Sequence, residues 1–275
     1  MAWQLSVSHK TTYHYESDVV ASFNEVRMTP LNSSTQRLIH HELIVEPSTP
    51  VHSYVDYWGS TVEMFDVQTP HTVLTVTSEN VVEMQPPRER RADYTWAELK
   101  DTHVRDQWCE YLTFTDLVDH LPHAPDLAEY ATPFEAIEAT VEIVGNHITY
   151  TSGSTSVHTP ASEAWTRQAG VCQDFTHAAL SMLRSVGIPS RYVSGYLYVR
   201  DGGVGEKVVG ESHSWVEAWA GEWIPIDPTN GRSVGQSHVI VARARDYNDV
   251  SPLSGIFSGG ASRQIDVEVV LTRQA

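Results

Sequence analysis

The amino-acid sequence predicts an α+β protein in which a β-sandwich is followed by a core where one helix packs on an antiparallel sheet. Three patterns indicate this fold class. Apolar and polar residues alternate over much of the first eighty or so positions. An amphipathic helix pattern runs from about Val171 to Val186, and a hairpin pattern occupies 211–231. A period of two residues is typical of strands, whereas spacings of three and four residues are typical of helices.

The N-terminal segment carries the first strand signals. An alternating set of apolar and β-forming residues extends from Trp3 to Tyr15, so that one face of this strand is apolar. Further β-rich runs stop at Pro47 and turn near Gly59. Several short strands separated by turn residues are typical of an antiparallel sandwich, which we place at residues 1–85.

A linker and helical connection is predicted at residues 86–130. It begins with the Pro-Pro pair and the charge cluster of QPPRERRADY, a composition typical of a linker. The following segment, TWAELKDTHVRDQWCEYL, is compatible with one helix. Cys109 lies on that predicted helix beside Trp108 and Leu112, so we assign it to the hydrophobic core.

The remaining segment, residues 131–275, is predicted to be the α+β core, and it opens with a clearly marked helix. Thr132 is a candidate N-cap, Pro133 fits the first helical position, and Glu135 completes a capping box. Apolar residues at helical spacing continue to Val144.

Cys172 lies in the first turn of the second helix of this core. Gly170 interrupts the preceding segment, and Gly187 followed by Ile188-Pro189 is a helix stop signal. The unpaired N–H groups and the positive dipole end at a helix start favour a thiolate over a thiol. A buried apolar cysteine is the alternative at this stage, because a thiol alone does not define a nucleophile.

A thiolate nucleophile needs a base, and the base needs an orienting group; the predicted hairpin supplies both. If Ala220–Glu222 form its loop, Trp219 faces Trp223 across the two strands. His213 and Asp227 then become diagonal neighbours on one face of the hairpin. A loop one residue longer or shorter would place them on opposite faces.

The composition excludes several classes of function. The 18 Lys and Arg residues and 35 Asp and Glu residues give a net charge of -17, which repels phosphate backbones and anionic lipids. We therefore expect neither a nucleic acid nor a membrane as partner. The N-terminus lacks an apolar signal region, and two cysteines are too few for a disulfide framework, so we expect a reducing, cytoplasmic location. No motif has metal-ligand spacing, so we expect no metal and no cofactor.

Two stretches together closely resemble the transglutaminase-like superfamily, namely GVCQDFTHAALSMLRSVGIPSRYVSGY and SHSWVEAWAGEWIPIDPTNG. They are most similar to its bacterial branch of cysteine proteases, whose papain-like core follows a β-sandwich. The segments TTYHYESDVVASFNEVRMTP, DYWGSTVEMF and ARDYNDVSPLSG extend the resemblance over nearly the whole chain. The resemblance implies that Cys172 is the nucleophile, that His213 is the general base and acid, and that Asp227 orients His213. Ser214 replaces the usual Ala, and we do not expect this change to disable the site.

The resemblance also implies acyl transfer through a thioester, with a protein or peptide as substrate. If water completes the reaction the enzyme is a cysteine protease or amidase, which is our first expectation. If a lysine amine completes it the enzyme is a transglutaminase, and a non-catalytic binding module on the same fold is the third alternative. Beside the nucleophile, Asp174 is expected to stabilise the helix N-terminus, and His177 to pack on the helix face.

Overall fold

The computed structural model describes residues 2–87, 94–199, 203–210 and 212–275. In these ranges the chain forms six α-helices and fifteen β-strands. The helices are α1 (Trp96–Leu99), α2 (Thr102–Gln107), α3 (Pro133–His147), α4 (Ala161–Arg167), α5 (Cys172–Ser185) and α6 (Tyr247–Val250). The strands are β1 (Trp3–Val26), β2 (Gln36–Glu46), β3 (His52–Val55), β4 (Thr61–Val67), β5 (His71–Met84), β6 (Thr149–Tyr150), β7 (Ala169–Gly170), β8 (Ser190–Leu197), β9 (Lys207–Gly210), β10 (Ser212–Trp219), β11 (Trp223–Asp227), β12 (Arg232–Ser233), β13 (His238–Ala244), β14 (Leu253–Gly259) and β15 (Ser262–Arg273).

The first sheet has eight antiparallel strands and is organised around β1, which is 24 residues long. The first half of β1 pairs with β5 and β15, and its end pairs with β4 and β14. Register shifts after His14 mark the bend between the two halves. The sheet therefore curls around an apolar core that includes Met28, Phe65 and Leu74. The predicted α+β class with an N-terminal β domain is confirmed.

Strands from the far end of the chain complete this first sheet. β9, β14 and β15 all come from the segment 131–275, so that segment contributes strands to both large sheets. An alternating pattern indicates that a segment is extended, but it does not specify which sheet edge the strand will join. Sequence patterns therefore predict domains that follow one another along the chain. In the structure, however, β14 and β15 from the end of the chain pair with β1.

The connection between the sheets differs from the predicted single helix. Thr95 caps α1 and Asp101 caps α2, so the helix is interrupted, and a 3₁₀ turn follows at Cys109–Leu112. The prediction that Cys109 belongs to the core is wrong, because this turn leaves its side chain exposed. Part of the predicted linker, residues 88–93, lies outside the described residues.

The second sheet has five strands in the order β12-β11-β10-β8-β13, and α5 packs on β10 and β8. α3 and α4 cover the other side of α5, so every residue from Gln173 to Arg184 is buried. The predicted helices at α3 and α5 and the cap at Thr132 are confirmed, with Glu135 N–H donating to Thr132 Oγ1 at 3.2 Å. The predicted capping box is not formed, because the Glu135 carboxylate accepts from Ala131 N–H instead. Among the described residues no helix is long and apolar enough to cross a bilayer.

The hairpin of β10 and β11 has the predicted register. Trp219 pairs with Trp223, and the pairing continues to Val216 and Ile226. Gly221 has a φ of 83° in the loop, a conformation that a residue without a Cβ adopts at low cost. This register places His213 and Asp227 on the same face of the hairpin, as predicted.

Candidate active site

The N-terminus of α5 presents Cys172, whose side chain is half-buried. Two residues further on, the Asp174 carboxylate accepts a hydrogen bond from Val171 N–H at 2.7 Å and another from Thr155 Oγ1 at 2.7 Å. The first of these bonds satisfies a backbone donor that the helix itself cannot pair. The expectation that Asp174 stabilises the helix start is confirmed.

The loop before α4 is fastened to the same helix end. Gln173 Nε2 donates to the backbone oxygen of Val157 at 3.0 Å, which adds to the bond between Thr155 and Asp174. The approach to Cys172 is therefore bordered by a segment that hydrogen bonds hold to the first turn of α5.

His213 lies at the start of β10 and contacts both other residues of the predicted catalytic group. Its Nε2 is 2.9 Å from Asp227 Oδ2, and Cys172 lies close enough to the imidazole to raise its pKa. Burial by itself lowers the pKa of His213, but the hydrogen bond to Asp227 and the interactions with Asp227 and Cys172 outweigh burial and raise that pKa to about 9. The imidazole is therefore protonated near neutral pH, a state that suits a neighbouring thiolate.

Asp227 is fully buried at the end of β11, where several donors surround its carboxylate. The backbone N–H groups of Thr229 and Asn230 donate to Oδ1 at 3.1 and 3.2 Å. Asn230 Nδ2 donates to Oδ2 at 2.9 Å and lies 3.3 Å from His213 Nε2. Burial opposes ionisation, but the hydrogen bonds from His213 and His238, the charge of His213 and the bond from Asn230 hold the pKa of Asp227 well below its usual range.

Sequence reasoning missed two neighbours of Asp227, namely Asn230 and His238. The DPTN segment offered a signal for Asn230, because Asp side chains often accept bonds from the backbone two or three residues later. His238 carried no such signal, since it begins a different strand, β13. Its Nε2 lies 3.4 Å from Asp227 Oδ2.

His213, Asp227 and His238 are residue types that also bind transition metals, and their ligand atoms lie within 4.8 Å of one another. In this structure the two imidazoles already engage the carboxylate through hydrogen bonds, and no further observation points to an ion. We therefore explain this cluster by hydrogen bonding.

The remaining predicted neighbours of the site face α5 and the core. Ser214 is buried, and its hydroxyl lies 3.1 Å from Thr176 Oγ1 on α5, so it links the helix to β10. Because neighbouring residues of a strand point to opposite faces, Ser214 points away from the His213 side. His177 is fully buried and accepts a hydrogen bond from Tyr247 N–H at 3.3 Å, which confirms its packing role.

Two cavities adjoin the polar network around Asp227. One has a volume of about 440 Å³ and lies between α3 and the turn after β11, with Asn230 in its wall. The other has a volume of about 340 Å³ and lies between the two sheets, with His238, Arg191 and Arg243 in its wall. Both arginines form ion pairs with the buried carboxylate of Glu217, so this carboxylate offsets part of the positive charge in the wall of the second cavity.

Comparison with known proteins agrees with this arrangement. Residues 5–83 match the bacterial transglutaminase-like N-terminal region, and residues 124–228 match the transglutaminase-like superfamily model. An uncharacterized protein of Mycobacterium leprae is 41% identical over 278 residues, covering 99% of this chain and all of the relative. An uncharacterized protein of Mycobacterium tuberculosis is 32% identical over 287 residues, covering 96% of this chain and 90% of the relative. The chain belongs to the transglutaminase-like superfamily, and its N-terminal match assigns it to the bacterial type.

A solved structure from Cytophaga hutchinsonii, described as a candidate cysteine protease, has the same fold. Its TM-score is 0.78 at 19% sequence identity, and the match covers 100% of this chain and 98% of that one. At this level of identity the similarity establishes the architecture, with both sheets included.

Proposed function

We propose that this protein is a cysteine enzyme that cleaves peptide or carboxamide bonds through a thioester on Cys172. The observation that carries the proposal is the position of His213, which hydrogen-bonds the buried Asp227 and lies beside Cys172 at the start of α5, near enough for Cys172 to raise its pKa. A non-catalytic scaffold does not require these three side chains to lie together. A catalytic triad does, because the base must reach the nucleophile and the carboxylate must orient the base.

The reaction follows from the order of these contacts. Since His213 Nε2 faces Asp227, Nδ1 is the ring nitrogen available to the sulfur. The Cys172 thiolate attacks the carbonyl carbon, and backbone N–H groups in the first turn of α5 stabilise the oxyanion. The protonated His213 then gives its proton to the departing amine, which leaves an acyl group joined to Cys172 as a thioester.

Hydrolysis completes the cycle in our proposal. His213, now neutral, takes a proton from a water molecule that attacks the thioester, and the acid product leaves with the thiolate restored. The description of the Cytophaga hutchinsonii relative as a candidate cysteine protease supports this outcome over amine capture. A transglutaminase would share every step up to the thioester.

The two cysteines of the chain allow a direct test of the nucleophile. Cys109→Ser leaves only Cys172, and Cys172→Ala leaves only the exposed Cys109 as a matched control. We expect iodoacetamide at pH 6 to alkylate Cys172 at least about tenfold faster than Cys109, because an ordinary thiol is almost fully protonated there. Equal rates for the two thiols would refute the proposed nucleophile.

A second experiment identifies the acceptor. A glutamine-containing peptide is incubated with the protein and a labelled primary amine, and mass spectrometry separates cleaved or deamidated product from amine-linked product. We expect the hydrolysed product to predominate and to vanish with Cys172→Ala. An excess of amine-linked product would assign a transglutaminase. If a protein whose Cys172 is readily alkylated forms neither product, the acyl donor is a group other than this glutamine peptide.

A further inference from the structure

We propose that His238 is a positioning residue that holds Asp227 in the orientation required by His213. This inference rests on the proposed function for the role of His213, and it adds a fourth residue to the group formed by Cys172, His213 and Asp227. His238 opens β13, and the strands β10 and β8 lie between β13 and β11, the strand that ends at Asp227. Its ring is buried and packs edge-on against Trp215, with ring centroids 5.3 Å apart.

The hydrogen bonds of His238 define its tautomer. The Gly235 N–H donates to Nδ1 at 3.3 Å, and the Ser237 hydroxyl lies 3.1 Å from the same atom. A backbone N–H has no acceptor capacity, so Nδ1 must carry the lone pair. The proton of the neutral ring is therefore on Nε2, which donates to Asp227 Oδ2 at 3.4 Å.

Three side chains from separate segments thus converge on one carboxylate oxygen. Asp227 Oδ2 accepts from His213 on β10, from His238 on β13 and from Asn230 in the turn after β11. The last of these belongs to the same turn as Asp227 itself. Among these three side chains, His238 is therefore the one that ties the Asp227 carboxylate to a strand outside the hairpin, and it restrains rotation of the carboxylate relative to His213.

The charge state of His238 suits this role. Burial lowers its pKa, and this effect outweighs the opposing hydrogen bond and charge of Asp227, while the cations His213 and Arg232 lower the pKa further. A neutral donor fixes the carboxylate without cancelling its charge. The negative charge of Asp227 consequently stays available to His213.

The test compares three substitutions in the Cys109→Ser background, where alkylation reports Cys172 alone. His238→Leu removes the donor, and His238→Asn places its amide nearer the Nδ1 position, short of Asp227. His238→Gln places an amide donor near the position of Nε2. For the two loss variants we expect the His213 titration, followed by NMR of the imidazole nitrogens, to move to lower pH by about one unit. Alkylation of Cys172 at pH 6 should slow about tenfold, and His238→Gln should stay within about twofold of the parent.

The control is His41→Leu, which removes another histidine that hydrogen-bonds a carboxylate, Glu63, in the first sheet. This substitution should change neither the His213 titration nor the rate of Cys172 alkylation. A folded loss variant with an unshifted His213 titration would overturn the inference, and so would a His238→Gln variant as impaired as His238→Asn. Failure of the proposed function looks different: parent Cys172 would react no faster than Cys109, while the NMR titration would still report on His238.

Discussion

His213 donates a hydrogen bond to Asp227 at 2.9 Å across the hairpin, although the regular strand pairing has already ended at Val216 and Ile226. Beyond the last backbone pair, this side-chain hydrogen bond therefore holds β10 and β11 together. Asp227 is fully buried and His213 nearly so, which strengthens their electrostatic interaction relative to an exposed pair.

Replacing Asp227 with Asn should remove the charge that keeps His213 protonated. The pKa of His213 is then expected to fall from about 9, because burial lowers it and the charge of Asp227 no longer opposes burial. We expect hydrolysis to fall by about 10²–10⁴-fold and alkylation of Cys172 at pH 6 to slow, because a less protonated His213 stabilises a neighbouring thiolate less. The control Asp266→Asn alters an exposed carboxylate that contacts His14 at 3.1 Å, and it should have no effect. Unchanged alkylation in Asp227→Asn would contradict the orienting role.

The buried His177 should make the protein sensitive to acid. Burial lowers its pKa to about 3, below the value of about 6.5 in the unfolded chain. Its neutral form therefore adds stability above pH 6.5, and this stability is lost as the pH falls towards 3.

His177→Gln keeps an acceptor for Tyr247 N–H but does not titrate. Urea unfolding at pH 7 and pH 4 should show that the wild-type protein loses roughly 3 kcal/mol more than this variant. His14→Gln, at an exposed position, is the control. An identical pH dependence in wild type and His177→Gln would rule out His177 as the origin.

Ser214→Ala should lower stability and leave catalysis intact. The substitution removes the contact between Ser214 and Thr176 that links β10 to α5 at 3.1 Å. The Thr176 hydroxyl retains its bond to the Cys172 carbonyl at 2.8 Å, so we expect a loss of only about 1 kcal/mol in the free energy of unfolding. The rate of Cys172 alkylation should not change, since Ser214 and His213 lie on opposite faces of the strand. A large fall in that rate would indicate that this contact also fixes the nucleophile.

Substitution of Arg184 should strongly lower the free energy of unfolding. Its buried guanidinium donates to the backbone oxygens of Thr113, Ser190 and Arg245 at 2.6–2.9 Å. Burial lowers its pKa to about 10, so it remains charged near neutral pH.

Arg184→Met leaves these three carbonyl groups without their donor, and we expect a loss of about 3 kcal/mol in urea unfolding. The control Arg167→Met changes an exposed arginine paired with Glu163 and should cost less than about 1 kcal/mol. Similar losses in the two variants would show that the carbonyl contacts of Arg184 contribute little.

The sequence by itself predicted the elements whose signals are local. The stop at Gly187, the cap at Thr132 and the three-residue hairpin loop each depend on neighbouring residues, and each occurs in the structure. The loop is especially informative, because its length fixes which side chains share a face. The sequence could therefore predict the contact between His213 and Asp227.

Only the tertiary structure decided the contacts made between distant segments. The return of β15 to β1 depends on which strand edges remain available, and the exposure of Cys109 depends on where a helix breaks. His238 reaches Asp227 from another strand of the sheet, with no motif to mark it. Local patterns encode backbone conformation and the face of a side chain, whereas the pairing of separate elements is settled by the packing of the whole chain.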